Sequence, residues 1–160
     1  MNIFFLHFAP RRAAEYHCDK HVVKMILETA QLLYTAHWIV SPEGLPSNAY
    51  KKTHPNHPCA IWARASRANY VWLAELGMAL CSEYTFRYSR VHLTEAHLRW
   101  LADHIPTLAD VGITKLPQAM PDVYKHRNPV RAYRSYYLGA KQRMLVYSSR
   151  SPPDFVANAF

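Results

Sequence analysis

The sequence predicts an all-α fold, a single compact domain of three to four helices joined by long Pro-rich loops, and three observations carry that expectation. Bulky apolar residues recur at three- and four-residue intervals over residues 11–40 and again over 58–88. Prolines and glycines crowd the intervening stretches, five of them between residues 42 and 58 and four prolines between 106 and 129, where they oppose regular structure. Finally, 160 residues, half of them apolar, suffice for one core of ordinary size but not for two.

Each element follows in turn. The opening MNIFFLHF reads as a short strand or an extended arm, ended by Pro10. No basic residue precedes its apolar run, and the run is too short to span a membrane, so it reads as mature chain in the cytoplasm, associated with the nucleoid. A first helix is expected over 11–40, with Val22, Val23, Ile26, Leu27, Ala30, Leu32 and Leu33 forming a broad apolar surface. A second is expected over 58–88, since proline suits the first helical position and Pro58 stands there; Gly77 marks a close helix crossing. The third, over 94–104, has Thr94 as its candidate cap and stops before Pro106. The fourth, over 129–147, is basic and aromatic. The domain spans 1–160.

Nineteen Lys and Arg against eleven Asp and Glu give a formal charge of +8, which favours a polyanionic partner, nucleic acid first. Four Trp, eleven Tyr and six Phe distinguish the chain from Lys-rich tails and suit a folded binder with stacking surfaces. Three cysteines, Cys18, Cys59 and Cys81, without CxxC spacing imply neither a disulfide framework nor a zinc ribbon.

At about 100° per residue, positions 17, 21, 24, 28, 31 and 35 fall on one winding line of a helix. Here they are His17, His21, Lys24, Glu28, Gln31 and Thr35. A solvated face, with Lys24 and Glu28 as an i, i+4 pair, is one reading. The stripe is narrow and carries two histidines, which suits the floor of a nucleotide-binding cleft with Glu28 at its centre. A second cluster, KKTHPNHPCAIWARASR, brings Asn56, His57, Arg64 and Arg67. His57 can cap the second helix, and the arginines can contact phosphate or simply face solvent. His17, Cys18, Asp19, His21, His54, His57 and Cys59 are of metal-ligand type, but no HExxH, paired CxxC or Cys2His2 spacing accompanies them, so neither metal nor cofactor is expected. A third cluster interleaves Arg131, Arg134 and Lys141 with Tyr133, Tyr136 and Tyr137, an arrangement that reads either as phosphate contacts beside stacking rings or as a core face.

The start MNIFFLH, the first helix with Glu28, the segment NHPCAIWARASRANYVWLAELGMALCSEYTFRY and the basic YRSYYLGAK occur in an order that resembles the pyrimidine-dimer DNA glycosylase family, the phage-type endonuclease V group. That resemblance implies a compact, mostly helical enzyme acting on damaged or modified duplex DNA. Such enzymes displace a base, attack deoxyribose C1′ with an amine to form a Schiff base, and cleave the strand by β-elimination. It implies that Glu28 assists at C1′ and that His21 orients the sugar or donates to a phosphate. In the best-known members the amine of the residue after the initiator methionine attacks. Here that residue is Asn2, and aminopeptidases clear methionine efficiently only before small residues. The nucleophile therefore stays open between a Met1 amine, the Lys24 side chain and no amine at all, with Glu28 activating water in the last case. A non-catalytic nucleic-acid-binding protein and a metal-dependent nuclease or hydrolase are the competing readings.

Overall fold

A computed structural model describes residues 1–159, and among these the chain is helical, with no strand. Seven α-helices form rather than three or four: α1 (Pro10–Tyr16), α2 (Asp19–Val40), α3 (Pro58–Ala65), α4 (Arg67–Tyr88), α5 (Glu95–Asp103), α6 (Pro129–Ala140) and α7 (Asp154–Ala157). Single 3-10 turns lie at Pro42–Gly44, Asp122–Tyr124 and Gln142–Met144.

The higher count comes from breaks inside the expected helices. The helix expected over 11–40 is two, parted at His17 and Cys18, both extended, and the Asp19 N–H that opens α2 bonds to Val146 O at 2.8 Å. The helix expected over 58–88 breaks at Ser66 (φ −152°, ψ 158°). Ser66 Oγ accepts from the Asn69 N–H and donates to Gly112 O at 2.7 Å, and the Arg67 N–H bonds to Ala109 O, so the loop after α5 stitches the break. The side chain of Ser66 thereby caps α4, satisfying a backbone donor that the helix itself leaves free. The last long helix ends at Ala140 instead of 147. Thr94 precedes α5 without capping it; its hydroxyl pairs with Tyr50 Oη at 3.1 Å.

The core lies between α2 and α4, with α1, α3 and α5 packed on α4. Gly77 of α4 fits the close crossing expected of it: a Cβ there would lie 2.8 Å from Leu98 Cδ2 and 2.9 Å from Thr29 Cγ2. No helix among the described residues is long and apolar enough to cross a membrane. The opening segment is the extended arm, not a strand. Ile3, Phe4, Phe5 and Leu6 are all buried, each worth roughly 1.5–3 kcal/mol when removed from water, which makes the arm part of the core and fixes where residues 1 and 2 lie.

Candidate active site at the amino terminus

The buried arm runs along α2 from Glu28 back towards His21. At one end the Asn2 backbone N–H donates to Glu28 Oε2 at 3.0 Å, and the Met1 α-amine nitrogen stands 3.8 Å from the same oxygen. Lys24 Nζ approaches Glu28 Oε1 at 3.3 Å, as the i, i+4 spacing on α2 dictates, while Glu28 itself is only 8% exposed. At the other end Phe4 stacks on His21 with ring centroids 4.3 Å apart, and His21 Nδ1 meets Tyr137 Oη at 2.5 Å.

The Asn2 side chain is anchored on several elements at once. Its Nδ2 donates to Ala119 O at 2.9 Å, and its Oδ1 accepts from the Ile3 N–H at 2.8 Å and from Tyr133 Oη at 3.0 Å, with Cys59 Sγ at 3.6 Å. The Tyr133 hydroxyl also faces Pro117 O at 3.1 Å.

Burial governs the electrostatics. The His21 imidazole is pushed down to about 3, first by burial and then by the charges of His17, Lys141 and Lys24. His17 is pushed down to about 4, again chiefly by burial. Its Nδ1 donates to Ala13 O at 2.6 Å, leaving Nε2 buried without a partner. His57 is lowered by burial and by the positive amino terminus close by, and burial raises the Cys59 thiol to about 12. These imidazoles are therefore neutral near pH 7.

Of the residues singled out in the sequence, the fold gathers Met1, Asn2, Lys24, Glu28 and His57 around one carboxylate. His57 takes the capping position: its Nδ1 accepts the Cys59 N–H at 3.1 Å at the start of α3. His21, Tyr136 and Tyr137 stand one step away around Phe4, with Lys141 Nζ 5.0 Å above the Tyr136 ring. Gln31 is half-buried one turn beyond Glu28, and Asn56 is exposed beside His57. His17 is not on the helix of Glu28; it ends α1, fully buried. Arg64 donates to Pro55 O at 2.8 Å, and Arg134 donates to Leu6 O at 3.0 Å while lying over the Tyr16 and Phe155 rings. Arg64 thus braces its own segment, whereas Arg134 ties α6 to the arm. Arg67 and Arg131 are exposed. Tyr133 and Tyr137 are fully buried, the core face foreseen as one option for α6. Among the described residues no three His, Cys, Asp or Glu side chains gather in a way that could hold a metal ion.

Sequence reasoning passed over Phe4 and the partnership of Tyr133 with Asn2. Phe4 is one apolar residue in an apolar run, and nothing local links positions 2 and 133.

Two basic hollows lie on segments that also contact the arm or its partners. One is lined by Lys20, Lys141 and Arg143, and the other by Lys115, Gln118, Lys125 and Arg127, the latter adjoining Pro117 and Ala119. An amine held beside a carboxylate can attack an electrophilic carbon in a bound polyanion while the carboxylate takes up or returns protons.

A family model described as pyrimidine dimer DNA glycosylase matches residues 1–96. The match includes the arm, Lys24, Glu28 and His57 and leaves out Ala119, Tyr133, Tyr136 and Tyr137. No curated protein and no solved structure matches the chain.

Proposed function

Since the chain belongs to the pyrimidine dimer DNA glycosylase family, we propose that it excises a damaged or modified pyrimidine from duplex DNA with the Met1 α-amine as nucleophile and Glu28 as its acid–base partner. The observation that carries this reading is the meeting of the first two backbone nitrogens with one nearly buried carboxylate, at 3.8 and 3.0 Å. Lys24, the other amine open from the sequence, has its side chain 68% exposed and pairs with the opposite oxygen, Oε1. That leaves it suited to holding a phosphate beside the site.

The steps balance as follows. A neutral α-amine forms a bond to C1′ as the C1′–N bond to the base breaks, its electron pair leaving on the base, which takes up a proton. Opening of C1′–O4′, with O4′ protonated, gives an iminium ion. Loss of a C2′ proton then expels the 3′ phosphate, and water releases the sugar fragment from the amine. Glu28 lies within reach to relieve the amine of its proton and to balance positive charge developing at C1′. A base must leave the stack for this to happen, and the basic hollows supply phosphate contacts that hold a distorted duplex. His21, neutral and held by Tyr137, keeps Phe4 in place and so sets the far end of the arm.

The test is ultraviolet-irradiated duplex DNA incubated with protein and borohydride. Damage-dependent nicks and a reduced covalent adduct are expected, and Glu28→Gln should slow both by on the order of 10²–10⁴-fold with DNA binding kept. Breaks that appear only after alkali would replace the amine by water. Equal activity in Glu28→Gln, or DNA binding without any breakage, would refute the catalytic reading in favour of a binding protein.

A further inference from the structure

Resting on that glycosylase reading, we propose that the Asn2 side chain and the Tyr133 hydroxyl form a positioning clamp for an unprocessed amino terminus, holding the Met1 amine at Glu28. A side-chain amide offers one acceptor oxygen and two donor hydrogens. In Asn2 the oxygen is taken by the Ile3 N–H and Tyr133, and the nitrogen donates to Ala119 O. These partners sit on the arm, on α6 and on the loop before it, so the amide ties the first residues to parts of the fold far away in sequence. Tyr133 is fully buried, and its oxygen also receives the Ala119 N–H at 3.3 Å.

The clamp acts through the geometry of one peptide. The Met1–Asn2 peptide is planar, and its N–H is bonded to Glu28 Oε2. With Asn2 held by its side chain, rotation about the Cα–C bond of Met1 is the main freedom left to the amine. A chain end normally frays; this one is held, which is how a terminal amine becomes a positioned reagent. The residue that does the holding is also too large for efficient methionine removal. Had Met1 been removed, the nitrogen of Asn2 would itself become the terminal amine, and the clamp would then grip the reacting residue directly. The side chain at position 2 thus serves both to retain Met1 and to seat it. Tyr133 lies beyond the 1–96 segment matched by the family model, so this half of the device comes from the remaining part of the chain.

The experiment uses Tyr133→Phe and Asn2→Leu in the full-length protein. Leucine is close to asparagine in shape, removes the amide and leaves Met1 uncleaved, as intact mass will verify. Single-turnover borohydride trapping on irradiated duplex is measured across pH, beside DNA affinity and the folded fraction of each variant. We expect the adduct on the Met1 nitrogen by peptide mapping, and a trapping rate per folded molecule lowered by about 10- to 100-fold in both variants. Affinity should be unchanged, and the pH dependence of trapping should differ from wild type because proton transfer between the amine and Glu28 no longer has a fixed geometry. Trapping at the wild-type rate and profile in folded variants would overturn the clamp while leaving the glycosylase reading intact. An adduct on the Asn2 nitrogen would overturn the unprocessed terminus. Absence of any adduct with the wild-type protein would overturn the amine-based reading, and the clamp with it.

Discussion

Lowering the pH from 7 to 5 should cost this protein about 4 kcal/mol of stability through two histidines alone. In the unfolded chain an imidazole titrates near its ordinary value of 6.5, so at pH 5 it is almost fully charged. In the fold His17 and His21 hold out to about 4 and about 3, because both are buried and neutral. Unfolding therefore takes up protons at pH 5, and linkage requires stability to rise with pH across this window. The contribution is complete above about 6.5 and is lost as pH falls from there towards 4. Each group loses about 1.36 kcal/mol per pH unit below 6.5, close to 2 kcal/mol by pH 5. His37, His57, His92 and His97 are also lowered by burial and add to the loss in the same direction. Asp19, whose carboxyl is lowered by hydrogen bonds from Ser148 and Arg87, adds its own loss only at still lower pH. Guanidinium unfolding followed by tryptophan fluorescence at pH 5, 6 and 7 measures the slope, and imidazole NMR assigns it. A stability constant within about 1 kcal/mol over that range, or His17 and His21 titrating near 6.5, would refute the account of both rings as neutral core groups. The loss also has a functional side, since Phe4 is stacked on His21 and the arm that carries the amine is seated there.

Two substitutions away from the site test the frame that holds it. Gly77→Ala should destabilise by up to about 2 kcal/mol, because overpacking costs roughly 1–3 kcal/mol and the better helix propensity of alanine returns about 1; a melting temperature above wild type would show that α4 can shift away from Thr29 and Leu98. Arg87→Met should cost about 3–5 kcal/mol in denaturant unfolding, since this buried guanidinium joins Asp19 at 2.9 Å to Glu83 at 2.7 Å, and a loss below about 1 kcal/mol would mean that Arg150, paired with the same Glu83, is a sufficient partner.

How much of this was legible depended on the range of the interaction. The polar stripe and the Lys24–Glu28 pair come from helical phase, which is arithmetic on one short stretch, and Glu28 was found that way. The capping of α3 by His57 and the crossing at Gly77 are local in the same sense. The helix breaks were missed because they are closed from a distance: Val146 O receives the first N–H of α2, and Gly112 and Ala109 receive the groups freed at Ser66. Apolar periodicity continues through both breaks, so it reports one helix where there are two. The only local trace at the second break is a serine three residues before Asn69, a capping spacing inside an otherwise unbroken pattern. His17 was misplaced for the same reason. It continues the line of the stripe in sequence, yet it belongs to α1.

The stripe on α2 is a seam where other segments dock. His21 meets Tyr137 of α6, Glu28 meets Asn2 of the arm, and Thr35 Oγ1 exchanges hydrogen bonds with the Thr53 backbone at 3.0 and 3.1 Å. Polar groups buried at such a seam need partners to offset their desolvation, and a histidine or threonine is satisfied by one neutral bond. A carboxylate needs more. Glu28 draws on three nitrogens, those of Asn2, Met1 and Lys24, and two of them carry exchangeable amine protons. The requirement that stabilises a charge inside the seam thus brings an acid–base group and a chain end together. An amine at the end of a free tail would spend little time near any one atom, whereas one that closely precedes four buried apolar residues is fixed by the core itself. The hydrophobic burial of Ile3 to Leu6 is therefore the step that turns a terminal amine into a candidate nucleophile.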